Sequence, residues 1–143
     1  AGARRVIEAV NAPVMADEGF WTADEAMLLM QNGAVNILHL YLSKCGGLYP
    51  AAQIVKLAKA FDVDVTLGER LPLGICEAAD AHFAAALPEL KYPCAIAYDL
   101  NEHDLLVKPL ERSRGTLHVP EGPGLGIEVD EEKVAFYSRE ESA

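Results

Sequence analysis

Three places in the chain set polar or charged side chains at the ends of apolar runs. Asp17-Glu18 follow Pro13-Val14-Met15-Ala16. Tyr41 closes the run from Val35 and is followed at once by Ser43, Lys44 and Gly46-Gly47. Glu69-Arg70 close the run from Val63. Carboxylates that converge from successive strand ends are how a hard cation such as Mg²⁺ is held. Side chains alternate along a strand, so only one of Asp17 and Glu18 can face such a site; the other possibilities are a solvated strand end or a helix-capping acid. The Tyr41 phenol can donate or accept a proton, but with a reference pKa of about 10 it is a reluctant base, and it would serve equally as an amphipathic core residue. Lys44 suits a seat over an anion or a solvated loop. Gly46-Gly47 suit backbone binding of an anion or a tight turn. Glu69-Arg70 read as a site pair or as an ion pair that satisfies itself.

The elements that would carry these residues follow from periodicity and punctuation. Ala3 to Val10 reads as a helix, and Pro13 to Glu18 as a short strand. Thr22-Ala23-Asp24-Glu25 is a capping box opening a helix that Asn32-Gly33 ends. Val35 to Tyr41 is nearly all apolar, as expected of a strand buried on both faces. Helices are predicted from Pro50 to Phe61 and from Leu73 to Leu87, with strands at Val63 to Glu69 and Cys94 to Tyr98. Strand starts near residues 13, 35, 63 and 94 are separated by 22, 28 and 31 residues, which is the spacing of βα units in a parallel sheet. His39 falls inside a strand and His82 on an apolar helix face, so both read as structural; His103 and His118 lie in the irregular region. Beyond residue 104 the pattern changes: Arg114-Gly115 reads as a turn between two extended pieces, Glu121 to Gly126 as a rigid loop, and Asp130 to Tyr137 as a short helix.

Four such units make half of an eight-strand barrel. A flavodoxin-like open sheet has the same rhythm, but its first strand should lead into a glycine-rich phosphate loop, and here it leads into two acids. The net charge of −10 argues against nucleic acid or an anionic membrane as partner. No apolar run approaches the length of a membrane span. Cys45, Cys76 and Cys94 are odd in number and widely spaced, and read as reduced thiols of a cytoplasmic protein. Nucleophile-elbow, Walker and His-x-x-x-His patterns are absent from the sequence.

Four segments, "APVMADEGFW", "VNILHLYLSKCGGL", "AADAHFAAALPEL" and "VPEGPGLGIEVDEEKV", together resemble the mandelate racemase / muconate lactonizing enzyme family of the enolase superfamily, in order and spacing. The resemblance implies the C-terminal half of a TIM-type (β/α)7β barrel. Residues 1–104 would supply strands five to eight, and 105–143 a segment returning toward a capping domain. It also implies Mg²⁺ chemistry in which a proton is removed next to the carboxylate of a small acid substrate. Asp17 would be the third metal ligand by the "ADE" pattern, with Glu18 the alternative used by racemases. Tyr41 stands where many members carry a catalytic lysine, and Lys44 matches the second lysine of that motif. A glutamate common near strand seven falls on Pro72, with Glu69 three residues earlier; one on strand eight falls on Ala95 or Ile96.

Strand-end placement and the resemblance together make Tyr41 and Glu69 candidate catalytic groups, Lys44 and Arg70 candidate substrate contacts by their charge, and Asp17 the candidate metal ligand. The capping domain, the lysine pair on strand two and two further carboxylates would lie before Ala1. The expectation is a piece of a dehydratase, cycloisomerase or racemase that is inactive by itself, does not retain Mg²⁺, and pairs with a second copy or with a missing half. The rival expectation is a non-catalytic half-barrel that serves assembly or binding.

Overall fold

The computed structural model describes residues 2–87, 90–95 and 97–138. The chain divides into two compact units, residues 1–69 with 87–95, and residues 70–86 with 96–143.

The first unit is built on a parallel sheet in the order β1-β2-β3, with β1 at Met15–Ala16, β2 at Ile37–Leu40 and β3 at Asp64–Leu67. The register sets Met15 beside Ile37, Ile37 beside Asp64 and Leu40 beside Leu67. Pro13 has no N–H to give, so the ladder at β1 starts late; the Asn36 side chain accepts from Val14 N at 2.9 Å in its place. Helix α1 (Gly2–Ala9) precedes the sheet, and among its described residues none is buried. Helix α2 (Ala23–Gln31) opens on the capping box read from the sequence. Thr22 accepts from Glu25 N, and the Glu25 carboxylate accepts from Trp21 N at 2.7 Å and Thr22 N at 3.1 Å. Those backbone N–H groups hold the Glu25 carboxyl below its usual range. Gly33, at φ +57°, ends the helix.

After β2 the chain forms a single helical turn, α3 (Leu42–Cys45), before α4 (Leu48–Ala60). Gly46 (φ +89°) and Gly47 (φ +109°) make the reversal between them, and Gly47 N donates to Leu42 O at 2.7 Å. The two glycines thus serve a tight turn that side chains with a Cβ adopt only with strain. Helices α2 and α4 pack together and bury Ala26, Met30, Ala51, Ile54 and Ala58.

The second unit holds α5 (Gly74–Ala85), a 3₁₀ turn at Tyr98–Leu100, the hairpin β4 (Arg112–Ser113) and β5 (Thr116–Leu117), and α6 (Glu131–Tyr137). Arg114 (φ +50°) and Gly115 (φ +78°) form the hairpin turn, as the sequence predicts. The core joins Ala78, Tyr98, Leu106 and Leu110, with Leu117, Leu125 and Ile127 against it. Asp104 is its polar centre. It accepts from Gly74 N at 2.8 Å, at the start of α5, and from Tyr98 Oη at 2.5 Å. His82 bonds the Leu125 carbonyl at 3.2 Å, the structural role expected of it.

One element departs from the sequence reading. The expected fourth strand, Cys94 to Tyr98, is not a strand among the described residues. Ala95 N donates to Leu67 O at 2.8 Å, but Tyr98 already belongs to the 3₁₀ turn. Pro93 removes a donor on one side and the turn closes the other, which leaves too few residues for a ladder. Ile96 lies outside the described residues. The parallel sheet described therefore has three strands, where four βα units are expected. Among the described residues, no helix is long and apolar enough to cross a membrane.

Candidate functional site

Two of the sequence candidates meet at the C-terminal ends of β1 and β2. Asp17 follows β1 and Tyr41 follows β2 on the adjacent parallel strand. The Tyr41 hydroxyl donates to Asp17 Oδ2 at 2.9 Å. By alternation, His39 and Tyr41 share one face of β2, opposite the fully buried Leu38 and Leu40. The His39 ring meets Tyr41 edge to face, with centroids 5.1 Å apart.

Lys44 joins this pair from below. It lies on α3, and that single turn points its stem back along β2 rather than into solvent. Its side chain is only 2% exposed. The ammonium donates to Asp17 O at 2.6 Å and His39 O at 2.9 Å, and stands 3.6 Å from Asp17 Oδ1. Its nitrogen lies 4.3 Å from the centre of the Phe20 ring and 4.6 Å from that of Tyr41. A buried ammonium is tolerated only when so surrounded by acceptors and ring faces. Lys44 therefore clamps the ends of β1 and β2 together, with two of its three donors given to backbone carbonyls.

Glu69 is placed two residues beyond β3, and its carboxylate turns to the start of α3. It accepts from Ser43 N at 3.1 Å and from Ser43 Oγ at 2.7 Å. A carboxylate at the first turn of a helix satisfies donors that have no partner within the helix. The sequence marks Ser43 only as a polar residue after the second run; its pairing with Glu69, across 26 residues, has no local periodicity to announce it. Phe20 likewise became part of the site only through the fold. Glu18 and Arg70 are exposed, and Arg70 belongs to the second unit.

Burial is the largest influence on the His39 imidazole and pushes it below its ordinary value. Asp17 and Glu69 pull the other way, while the Lys44 charge adds to the lowering. The ring is thus neutral near pH 7. Burial also raises the Cys45 thiol, which keeps it protonated and unreactive. Asp17 Oδ1 is shielded from water and accepts no hydrogen bond among the described residues.

Functional side chains gathered at the C-terminal ends of parallel strands are where α/β domains, TIM barrels among them, build their sites. Residues 1–133 match the family described as enolase C-terminal domain-like. The chain belongs to that family, the C-terminal domain of the mandelate racemase / muconate lactonizing group of the enolase superfamily. It is 34% identical over 131 residues to muconate cycloisomerase 1 of Rhodococcus opacus, covering 91% of this chain and 35% of that protein. It is 34% identical over 107 residues to a probable glucarate dehydratase of Streptomyces coelicolor, covering 75% of this chain and 25% of that protein. Among solved structures it resembles 2-chloromuconate cycloisomerase from Rhodococcus opacus 1CP, with TM-score 0.90, 30% identity, and coverage of 97% of this chain and 38% of the other. It also resembles the muconate lactonizing enzyme from Pseudomonas putida, with TM-score 0.89, 28% identity, and coverage of 96% and 39%. The chain thus spans little more than a third of the length of these cycloisomerases.

Proposed function

We propose that these residues supply one side of the active site of a cytoplasmic enolase-superfamily lyase or isomerase that removes a proton next to the carboxylate of a small acid. The Tyr41–Asp17 hydrogen bond, formed at the ends of adjacent parallel strands, carries this reading. The donor chemistry fits Mg²⁺ in part: Asp17 offers hard oxygens, and its Oδ1 is a buried acceptor that no donor bonds among the described residues. Asp17 would hold the ion, with Glu18 the alternative, and the ion would supply charge to stabilise the enolate when bound. One carboxylate is too few for a protein-held Mg²⁺, so the reading needs further ligands from outside these 143 residues.

Within the reading, Tyr41 keeps its proton on Oη and offers it along the line to Asp17. That makes it a group that orients the carboxylate and donates to developing negative charge, rather than a base. Glu69 fixes the turn on which Lys44 stands, and with lone pairs beyond the two that Ser43 uses it remains a candidate base. Lys44 acts from beneath the site, and Arg70 remains a candidate contact for the substrate carboxylate.

The test is exchange of the proton α to the carboxylate in ²H₂O, followed by ¹H NMR with Mg²⁺ over muconolactones, acid sugars and mandelate-like acids. In the longest native polypeptide that carries these residues, exchange is expected, with loss of at least about a hundredfold in Asp17→Asn, the scale of a lost electrostatic stabiliser. The 143-residue chain alone should exchange none of them. Exchange by the longer polypeptide that is indifferent to Asp17→Asn would overturn the assignment. A second reading, a non-catalytic assembly or binding module, draws on the same geometry: Asp17 already has Tyr41 and Lys44 beside it, and Glu69 has Ser43. No exchange in either form would favour it.

A further inference from the structure

Asn32-Gly33 is the one Asn-Gly pair in the sequence. Such a pair is chemically labile wherever it is free to move. The glycine nitrogen attacks the asparagine Cγ, ammonia leaves and a succinimide ring forms; water then opens the ring to aspartate or to isoaspartate. Glycine permits the attack because it has no side chain to obstruct its nitrogen, and the only co-reactant is water. Here the pair closes α2, and hydrogen bonds to that helix hold both reacting groups. Asn32 Nδ2 donates to Leu28 O at 2.7 Å, which turns the amide back along the helix. Gly33 N donates to Met30 O at 3.0 Å, and Ala34 N to Leu29 O at 2.9 Å. Ring closure brings Cβ and the Gly33 nitrogen close to eclipsed about the Asn32 Cα–C bond, far from the ψ of 1° that Asn32 has. Little else guards the pair. Both residues are exposed, and beyond the chain neighbours no atom lies within 4 Å of where a Gly33 Cβ would stand.

We propose that Asn32 is a site of spontaneous deamidation whose rate is set by fraying of the last turn of α2, not by unfolding of the chain. The reaction needs only the Asn32 Nδ2 and Gly33 N bonds released, and helix ends open locally at small cost. Two hydrogen bonds between neutral groups, at the usual net worth of each, slow it about thirtyfold relative to a free peptide. Dependence on global unfolding would slow it at least about a thousandfold. The product bears on the fold. Either form replaces the donor to Leu28 O with a carboxylate at the negative end of the helix dipole. Isoaspartate also lengthens the backbone by one atom at residue 32. Ala34 and Val35, both buried, follow at once and lead into β2, which carries His39 and ends beside Tyr41.

The experiment incubates the 143-residue chain and a synthetic peptide of residues 28–37 side by side at neutral pH. Peptide-mapping mass spectrometry follows the conversion of Asn32 and the appearance of isoaspartate. A cooperative thermal melt establishes that the chain is folded; where it shows none, the comparison is made in the longest native polypeptide that carries these residues. The folded protein should convert Asn32 about thirtyfold more slowly than the peptide, and urea well below the unfolding midpoint should raise its rate only slightly. Equal rates in protein and peptide overturn the inference, because the hydrogen bonds then restrain nothing. A rate reduced a thousandfold or more, climbing with urea in step with global unfolding, overturns it too, because the helix end is then no gate. The isoaspartate form, separated by ion exchange, should melt at a lower temperature than the unmodified chain, and an unchanged Tm would remove the consequence drawn for β2.

Discussion

Tyr98→Phe should destabilise the second unit by about 2 kcal/mol and flatten its response to pH. Tyr98 is 8% exposed, and its hydroxyl donates to Asp104 Oδ2 at 2.5 Å. A hydrogen bond to a charged group contributes roughly 1.5–3 kcal/mol. The phenol's titration sets where that contribution is lost. Burial first, then the bond to Asp104 and its charge, push it up to about 12, which corresponds to roughly 2–3 kcal/mol of preference for the neutral form. Burial, the first cause of that rise, penalises the phenolate and lends nothing to the neutral phenol, so the expected magnitude rests on the hydrogen bond, about 2 kcal/mol. A raised phenol pKa is stabilisation fully present below the unfolded value near 10 and lost as pH rises to about 12. Asp104 runs oppositely. Burial raises its carboxyl, but the Tyr98 hydroxyl and the N–H groups of Gly74, Leu105 and Leu106 together bring it below its usual value. Its stabilisation is present above the unfolded pKa near 3.8 and lost as pH falls through the folded value. Urea unfolding of both proteins from pH 2.5 to 12 should therefore show a constant gap between about pH 5 and 9 that closes at both ends. The other tyrosines titrate alike in both proteins and cancel in the difference. A gap under about 0.5 kcal/mol at pH 7, or one that persists unchanged to pH 12, would refute the account.

Three further outcomes follow from packing and capping. Gly68→Ala would drive a methyl group into the His39 ring at Nε2 and set it 3.3 Å from the Ala95 Cβ; overpacking at a buried site costs about 1–3 kcal/mol, and a cooperative melt with unchanged Tm would contradict the geometry. Thr22→Ala removes the hydroxyl that accepts from Glu25 N and should cost about 1 kcal/mol by urea denaturation, with no change in the far-UV spectrum beyond one helical turn. Strand β1 is one edge of the described sheet and Met15 is 44% exposed, so the chain should self-associate at micromolar concentration; sedimentation at the mass of one chain would exclude it, and a charge at Val14 should weaken any dimer that does form.

Much of the fold could be read directly. The Thr22–Glu25 box, the glycine at 33, the run through Ile37–Leu40 and the Arg114-Gly115 turn each act through neighbours in sequence, and each is where periodicity places it. The strand expected at Cys94 to Tyr98 shows the limit. Its apolar residues suit a strand, but Pro93 and the demand of Asp104 for the Tyr98 hydroxyl pull the chain into a turn instead. Tertiary hydrogen bonding overrode local propensity there, which sequence alone does not weigh.

The site divides along the same line. Asp17 and Tyr41 were legible because strand ends on a parallel sheet converge whatever their side chains are. Lys44 was legible as a charge near a strand end but not in its direction. A lysine four residues beyond a strand end points to solvent if the chain continues as a loop, and back under the strand if it coils. The single turn Leu42–Cys45 decides for the second. What makes that turn form is Glu69, capping it from 26 residues away through Ser43. Ser43→Ala tests this chain of causes. It removes only a surface hydroxyl, yet it should loosen α3 and with it the seat of Lys44. The ammonium should then react faster with an acylating reagent, by several-fold, while the exposed Lys56 and Lys59 stay unchanged; equal rates at Lys44 in both proteins would mean that the turn holds without the hydroxyl, the backbone bond from residue 43 to Glu69 sufficing.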